Sequence, residues 1–321
     1  MSNFWVDLPS PFSILAPMDD VTDDVFRRVI LKAARPSVFF TEFTNSDGLV
    51  HGGHGIPLRK LKFTHDQHPI VAQIWGNNAE SMEKATVIVK NLGFDGIDIN
   101  MGCPVDDVVK KGAGAGLIGK YKEAKEIIDA VKSGAGGMPV SVKTRLGIKE
   151  NTAKEWATFL LGNNIAALTI HGRTAKEMSK VPASWDEIGK VVKIKNEISP
   201  KTLVIGNGDI KSYEEIKEMN KKHGVDGVMV GRGVFENPWV FDTTMKVHTK
   251  AEHFELMNYH IDLFEETWGK TKNFSILKKF FKMYVKGFDG ASEFRQKLVE
   301  AKSIEEVRSI LQKNRATSTD D

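Results

Sequence analysis

The sequence of 321 residues predicts an α/β fold, a (β/α)8 TIM barrel followed by a small all-helical C-terminal domain. Two observations predict the barrel. Short runs rich in Val, Ile and Leu recur eight times with amphipathic segments between them, and each run ends in polar or glycine-rich residues. A third observation predicts the second domain, because strand-like runs stop after Phe241 and helical patterns follow.

The eight apolar runs are predicted to be parallel strands buried on both faces, since they are continuously apolar rather than alternating. Eight strand–helix units in about 240 residues match a closed barrel. An open doubly wound sheet is the alternative, but eight regular units favour closure. The predicted strands are Ser13–Ala16, Val38–Phe43, Pro69–Trp75, Gly96–Asn100, Pro139–Thr144, Ala166–His171, Thr202–Gly206 and Asp226–Gly231.

The amphipathic segments between strands are predicted to be helices that cover the barrel, among them Ala79–Leu92, Lys120–Lys132, Thr152–Leu161, Trp185–Asn196 and Tyr213–His223. We therefore assign residues 1–243 to the barrel and residues 244–315 to a helical domain with a break near residues 287–292. Residues 316–321 are polar and are predicted to be a disordered tail.

The composition is that of an ordinary soluble globular protein, with 41% hydrophobic and 27% charged residues. No apolar run reaches the roughly 18 residues that a membrane span needs, and the N-terminus lacks a signal-peptide pattern. The single cysteine allows no internal disulfide, which fits a reducing cytoplasm. Nothing in the sequence demands more than a monomer, and no protein partner is predicted.

Charge is distributed unevenly although the net charge is only +3. Between Lys270 and Lys302, nine Lys or Arg residues stand against three acidic residues, and six aromatic residues are interleaved with them. A solvated helix face also carries charge, but a basic stripe with aromatics is what a phosphate backbone selects. The pattern permits a nucleic-acid partner without demanding one.

The carboxyl ends of the predicted strands carry the unusual polar residues, and this is the face on which barrel active sites form. Glycine-rich turns after strands seven and eight, with Arg232 beside them, suit a phosphate. Lys143 supplies a fixed cation, and the side-chain amides of Gln73 and Asn207 can form hydrogen bonds with an amide edge of a ligand. The set suits flavin mononucleotide (FMN), whose reduced ring is anionic; a Schiff-base lysine in an aldolase-type barrel is the alternative. The strand ends are Ala16-Pro17-Met18-Asp19, Thr41-Glu42, Gln73, Asn100 with Cys103, Lys143 with Arg145, His171-Gly172-Arg173-Thr174, Gly206-Asn207-Gly208-Asp209 and Gly231-Arg232-Gly233.

Cys103 is the only cysteine, and it follows strand four in the segment Asn100–Pro104. A lone cysteine is often a small core residue. The flanking Gly102 and Pro104, however, make a turn rather than a packed interior. The sequence therefore predicts a thiol with a chemical role.

Two glycine motifs and a group of histidines resemble known sites but lack required partners. Residues 114–119 have the G-x-G-x-x-G spacing, yet they do not directly follow a strand and no acid lies near position 139. Tyr121 stands where a phosphate-binding Walker A loop requires Ser or Thr. A mobile glycine-rich loop beside the site, Lys110–Gly119, fits better. No metal is predicted, and a polar loop explains the four histidines, His51, His54, His65 and His68.

Seven segments together resemble the tRNA-dihydrouridine synthases. They occur in the order found in that family and cover most of residues 13–241, and the helical tail is similar to the family's C-terminal helical domain. The segments are Ala16-Pro17-Met18, Ala72-Gln73, Asn100-Met101-Gly102-Cys103-Pro104, Lys111-Gly112-Ala113-Gly114-Ala115, Ile170-His171-Gly172-Arg173-Thr174, Asn207-Gly208-Asp209-Ile210 and Val230-Gly231-Arg232.

The resemblance implies an FMN enzyme that reduces the uracil 5,6 double bond of particular uridines in tRNA, with NADPH (or NADH) recharging the flavin. Carried over by position, Cys103 is the general acid at C5, while reduced flavin gives a hydride to C6. Asn100 and Arg173 would face the uracil. FMN would be held by Pro17, Met18, Asp19, Gln73, Lys143, His171, Asn207, Gly208, Asp209, Gly231 and Arg232, and tRNA phosphates by Lys278, Lys279 and Lys282.

The sequence departs from the family between His171 and Trp185. Relatives carry an aromatic residue and a glycine there, whereas residues 176–182 read Lys-Glu-Met-Ser-Lys-Val-Pro. The resemblance places this loop beside the substrate, so the sequence does not identify the target uridine. Two other functions stay open: an FMN barrel acting on a free pyrimidine, such as a dihydroorotate-oxidising enzyme, and a tRNA-binding protein without catalysis.

Overall fold

The computed structural model describes residues 3–52, 55–269 and 271–316, with side chains described as far as residue 313. Within these ranges the chain forms nine parallel strands, β1 Phe12–Leu15, β2 Val38–Phe40, β3 Thr44–Asn45, β4 Ile70–Trp75, β5 Gly96–Met101, β6 Val140–Arg145, β7 Ala167–His171, β8 Leu203–Asn207 and β9 Gly227–Val230.

The strands close into a ring, which confirms the predicted barrel. β1 pairs with both β2 and β9, β2 also pairs with β4, and the remaining strands pair in chain order from β4 to β9. Eight strands make up the ring, while β3 is a short extension that pairs with β4 alone. Because all strands run parallel, their carboxyl ends meet at one rim.

The second predicted strand, Val38–Phe43, is shorter in the structure: β2 ends at Phe40, and the two-residue β3 begins only at Thr44. The hydroxyl of Thr41 accepts the backbone N–H of Gln73 at 3.2 Å and donates to the carbonyl of Glu42 at 2.8 Å. A side-chain oxygen thus replaces a backbone carbonyl as the acceptor, and the chain leaves the sheet between β2 and β3.

Helices cover the outside of the barrel, and the five helices predicted there are confirmed with small shifts at their ends. The helices are α1 Asp24–Ala33, α2 Ser46–His51, α3 Ile56–Lys60, α4 Ala79–Asn91, α5 Asp106–Lys110, α6 Tyr121–Ala135, α7 Ala153–Leu161, α8 Trp185–Ile198, α9 Tyr213–His223, α10 Gly233–Glu236, α11 Lys250–Trp268, α12 Phe281–Tyr284, α13 Ala291–Glu300 and α14 Ile304–Ala316. Short 3₁₀ turns occupy Phe4–Asp7, His65–Gln67, Gly114–Leu117 and Phe274–Phe280.

The C-terminal helical segment, residues 250–316, is built from α11 to α14 and the 3₁₀ turn before α12. A capping box of Thr249 and Glu252 starts α11, and the predicted break lies between α12 and α13. Ala316, the first residue of the predicted disordered tail, belongs to α14, and residues 317–321 lie outside the described residues. Among the helices described, none is both long and apolar enough to cross a membrane.

The helical segment lies against the carboxyl-terminal rim of the barrel through an aromatic contact. Phe280 stacks on Phe26 of α1 with ring centroids 5.0 Å apart, and it lies 5.9 Å from Phe235 of α10. Lys272 forms an ion pair of 2.6 Å with Asp23, the residue that caps α1. The hydrophobic core is therefore continuous from the barrel helices into the segment.

Replacing Phe280 with Ala tests this contact. Phe280 is 3% exposed, so the truncation should lower the free energy of unfolding by roughly 3–5 kcal/mol, as buried Phe-to-Ala changes do. Urea denaturation followed by circular dichroism measures the loss. Val247→Ala is the control, because Val247 is 89% exposed and its truncation should leave stability unchanged. Equal stability of both variants would show that the aromatic contact does not hold the segment.

Candidate active site

A cavity of about 950 Å³ opens at the carboxyl ends of the strands, between the barrel loops and the C-terminal helical segment. Its size lies in the range of cofactor and small-molecule sites. Cys103, Asn100, Arg173, Lys279 and Lys282 line it, whereas Lys278 lies outside its lining. All residues predicted to hold flavin also line it, namely Pro17, Met18, Asp19, Gln73, Lys143, His171, Asn207, Gly208, Asp209, Gly231 and Arg232.

Cys103 lies in the turn that follows β5. The side-chain oxygen of Asn100 accepts the backbone N–H groups of Gly102 and Cys103 at 3.1 and 2.9 Å, which holds the turn in place. Cys103 is only 6% exposed. Burial raises the pKa of the Cys103 thiol, so the sulfur stays protonated at neutral pH.

The glycine-rich segment 110–119, predicted to be a mobile loop, is a packed turn against the back of Cys103. The N–H of Ala115 donates to the Cys103 carbonyl at 3.0 Å. Gly114 has a φ of 56°, and a Cβ there would lie 2.9 Å from the same carbonyl. A glycine is required at this position, and residues 113–118 are buried.

A buried hydrogen-bond network leads from the barrel interior to Asn100. Asp98 accepts from Ser141 Oγ at 2.6 Å and from Gln73 Nε2 at 2.7 Å, and Gln73 Oε1 accepts from Asn100 Nδ2 at 2.9 Å. Burial raises the pKa of Asp98 to about 6. Sequence reasoning missed Asp98, although its spacing from Asn100 placed both on the same face of β5.

The cavity is electropositive. Its lining, among the residues the structure describes, includes seven Lys or Arg residues and three carboxylates. Lys143 makes no hydrogen bond or ion pair to another described residue, and burial lowers its pKa to about 8. Burial lowers the pKa of Arg145 to about 10. A group that brings negative charge or acceptor oxygens would satisfy these side chains.

Two buried arginines hold the loop of residues 176–182. Arg145, which the sequence placed among the polar strand ends without a specific role, donates to the carbonyls of Gly102 at 2.9 Å, Thr174 at 3.1 Å and Met178 at 3.2 Å. Its spacing of two from Lys143 was a usable signal for an inward-facing side chain.

Arg173, predicted to face the uracil, is 3% exposed and uses its donors within the protein. It donates to the Val181 carbonyl, to the carboxylate of Asp209 and, at 3.2 Å, to Nε2 of His171. Burial, together with Lys143, Arg145, Arg173 and Arg232, lowers the pKa of His171 far below its usual range. The imidazole is therefore neutral. Because Arg173 donates to Nε2, the ring proton of His171 lies on Nδ1.

The turns after β8 and β9 approach each other closely. Gly208 and Asp209 have φ values of 139° and 58°, and a Cβ on Gly233 would collide with the Ile210 carbonyl. Asp209 lies 3.8 Å from Arg232 and accepts the Ala183 N–H at 2.8 Å. Although burial opposes it, the hydrogen bonds from Arg173 and Ala183 hold the pKa of Asp209 below its usual value.

The three predicted phosphate-binding lysines are in different environments. Lys279 lines the cavity but donates to the backbone carbonyl of Asp20. Lys282 lines both the cavity and a second groove of about 400 Å³ on the helical segment, and it makes no hydrogen bond or ion pair within the part of the chain that the structure describes. Lys278 lines the groove but not the cavity, and its ammonium lies 5.5 Å from the ring centre of Phe274.

Residues 14–319 match the family model described as dihydrouridine synthase (Dus). The chain is 48% identical over 323 residues to a "Probable tRNA-dihydrouridine synthase" of Staphylococcus aureus (strain Mu50), a match that covers 99% of this chain and 98% of that relative. It is 47% identical over 312 residues to a "Probable tRNA-dihydrouridine synthase 2" of Bacillus subtilis (strain 168), covering 96% and 95%. This chain belongs to the dihydrouridine synthase family.

Two solved structures share the barrel fold at low sequence identity. Morphinone reductase in complex with tetrahydroNAD has a TM-score of 0.51 and 13% identity, over 77% of this chain and 91% of that one. 2-Naphthoyl-CoA reductase has a TM-score of 0.57 and 10% identity, over 72% and 49%. These similarities concern the fold alone.

FMN, with NAD(P)H as its reductant, is the cofactor that the family resemblance implies, and the donor set of the cavity fits it. Lys143 offers a half-buried ammonium without a hydrogen-bond acceptor among the described residues, and neutral His171 offers an N–H. The turns at Gly208 and Gly231 present bare backbone beside Arg232, which is a suitable cradle for a phosphate.

The raised pKa of the Cys103 thiol predicts slow alkylation at neutral pH. Iodoacetamide reacts with thiolates, so the labelling rate should rise with pH to a midpoint above the value of ~8.5 of an exposed thiol. Because Cys103 is the only cysteine, intact-mass spectrometry reports on this residue alone. Glutathione labelled in parallel is the control, and a midpoint at or below that of glutathione would contradict the assignment.

Proposed function

We propose that the protein is a tRNA-dihydrouridine synthase that reduces the C5=C6 bond of specific uridines in tRNA. The observation that carries the proposal is the placement of a protonated thiol and an unpaired ammonium in one cavity. Cys103 follows β5, Lys143 lies on β6, and Asn100 is the register partner of Lys143. Bound FMN, once reduced by NAD(P)H, supplies the hydride that adds to C6.

Cys103 supplies the proton to C5. Burial keeps the thiol protonated before the reaction, which a general acid requires. After the transfer the sulfur carries a negative charge, and the nearby cations of Arg145 and Lys143 favour that form. The thiolate then regains a proton from solvent, so each turnover consumes one hydride equivalent and one proton.

The flavin would be held by chemically distinct parts of the cavity. Lys143 would donate to the electron-rich edge of the ring, and Arg232 with the backbone at Gly208 and Gly231 would bind the phosphate. Asp209 is better suited to orient Arg173 and Arg232 than to contact an anionic phosphate, because its carboxylate already bonds to the first and pairs with the second.

The substrate base is stacked or paired in folded tRNA, so it has to leave the stack to enter the cavity. The helical segment forms one wall of the cavity and continues into the groove that Lys282 and Lys278 line. We therefore assign residues 1–243 as the catalytic barrel and residues 244–315 as the tRNA-binding domain. The printed names of the curated relatives support tRNA over a free pyrimidine.

Incubating the purified protein with NADPH and tRNA that lacks dihydrouridine tests the proposal. Nucleoside mass spectrometry should detect dihydrouridine, and the protein should show a flavin absorption band. Turnover of free uracil or dihydroorotate without turnover of tRNA would instead establish a free-pyrimidine enzyme. Tight tRNA binding without product would establish a binding protein.

Cys103→Ala should reduce dihydrouridine formation by roughly 10²- to 10⁴-fold, the usual contribution of a positioned acid. FMN content and tRNA affinity should stay at the level of the unmodified protein, because the change removes one atom beside the cavity. Single-turnover assays with pre-reduced enzyme isolate the reduction step. Unchanged product formation would remove Cys103 from the proton-transfer step.

Lys278→Glu combined with Lys282→Glu should weaken tRNA binding and flatten its salt dependence, with flavin content unchanged. Two lost phosphate contacts should reduce the slope of log affinity against log salt by roughly 1.4 to 1.8. The charge-matched control is Lys193→Glu with Lys201→Glu, since both lysines are exposed and Lys201 precedes the amino end of β8. Equal slopes in the two double variants would remove the helical segment from tRNA recognition.

A further inference from the structure

Asp98 is a carboxylate inside a barrel whose interior normally holds bulky apolar side chains. It is 0% exposed, and it forms no ion pair with a described residue. Its two oxygens accept one hydrogen bond each, from Ser141 and from Gln73. Burying a carboxylate costs free energy that an aliphatic side chain would avoid, so the placement calls for a compensating role.

The hydrogen bonds between Asp98 and Cys103 run in one direction. The backbone N–H of Cys103 can only donate, so Asn100 turns its oxygen toward Cys103 and its amide nitrogen toward Gln73. Gln73 accepts from Asn100 and must then donate to Asp98, which accepts when ionised. Each amide has one orientation that satisfies both neighbours. Without the carboxylate, Gln73 loses the acceptor that determines its orientation.

We propose that Asp98 is a positioning residue whose carboxylate orients the amide of Gln73 and, through Asn100, holds the turn that presents the Cys103 thiol to the cavity. The inference rests on the proposed function for its catalytic meaning. Asp98 itself does not line the cavity, because Gln73 and Asn100, which do, lie between it and the open space.

The network has a second arm that serves as a control. Ser141 donates to the other oxygen of Asp98 and has no contact with Gln73, Asn100 or Cys103 in the hydrogen-bond network. Ser141→Ala therefore disturbs the same buried carboxylate while leaving the connection to Cys103 in place. If Asp98 only stabilised the barrel interior, loss of the hydrogen bond from Ser141 and loss of the one from Gln73 would affect Cys103 equally.

Asp98→Ala, Asp98→Asn and Ser141→Ala are compared in the FMN-bound protein at pH 8, where Asp98 is ionised given its pKa of about 6. The first measurement is the rate of iodoacetamide alkylation of Cys103, which needs no turnover. The second is the single-turnover rate with tRNA. In Asp98→Ala, Cys103 should be alkylated about tenfold faster, because the turn that holds its thiol is no longer fixed. The reduction of tRNA should be roughly 10- to 100-fold slower, since small misplacements of reacting groups cost this much.

Asp98→Asn should recover both rates to within about threefold of the unmodified protein, because its amide oxygen can still accept from Gln73 and its nitrogen can donate to Ser141. Ser141→Ala should match the unmodified protein, and the KM for tRNA should stay the same throughout. Folded Asp98→Ala with unaltered rates would overturn the proposal. An equal effect of Ser141→Ala would overturn it as well.

Gln73→Met provides a second route if Asp98→Ala does not fold, since it breaks the same connection and leaves Asp98 bonded to Ser141. Faster alkylation supports the proposal, and an unchanged rate overturns it. A protein that forms no dihydrouridine in its unmodified state would refute the proposed function. The alkylation series would still decide whether Asp98 holds the thiol.

Discussion

Burial of ionisable groups at the barrel rim is the constraint on which the rest of the site depends. Burial is the largest cause of the altered pKa of Cys103, Lys143, Arg145, His171 and Asp98 alike. It keeps the thiol protonated and the imidazole neutral, and it leaves a lysine whose ammonium lacks an acceptor among the described residues. Low-dielectric surroundings make each of these charges respond strongly to an anionic ligand.

Ring closure creates that environment. Pairing of β1 with β9 brings residues from opposite ends of the barrel sequence to one rim, and parallel pairing points every strand end the same way. The loops are then secured from within, since Arg145 and Arg173 bind backbone carbonyls of the turns around them. The C-terminal helical segment completes the cavity wall with Lys279, Lys282 and Met283, and it packs on α1 through Phe280.

Strand order and the position of the site were predictable because continuous apolar runs identify buried parallel strands, and barrel sites form at their carboxyl ends. The partners of individual side chains were not. Sequence spacing places Arg173 near the site, but only the fold shows that Asp209 and the Val181 carbonyl occupy its donors. Lys278 and Lys279 lie at the end of a 3₁₀ turn that continues directly into α12. Because the number of residues per turn changes there, the sequence does not predict which of the two lysines faces the cavity.

The choice of Cys103 as the proposed proton donor follows from the same electrostatics. His171 is neutral, and Arg173 donates to its Nε2, so it is a poor acid. Lys143 is a stronger rival, because a pKa of about 8 suits proton transfer at neutral pH. An anionic flavin beside Lys143 would raise that pKa again and stabilise the ammonium. With the proposed cofactor bound, Lys143 would therefore release its proton less readily. The neutral thiol of Cys103 gives up no positive charge when it releases its proton, and the cations of Arg145 and Lys143 favour the thiolate that forms. Cys103 is therefore the better candidate for the proposed proton donor.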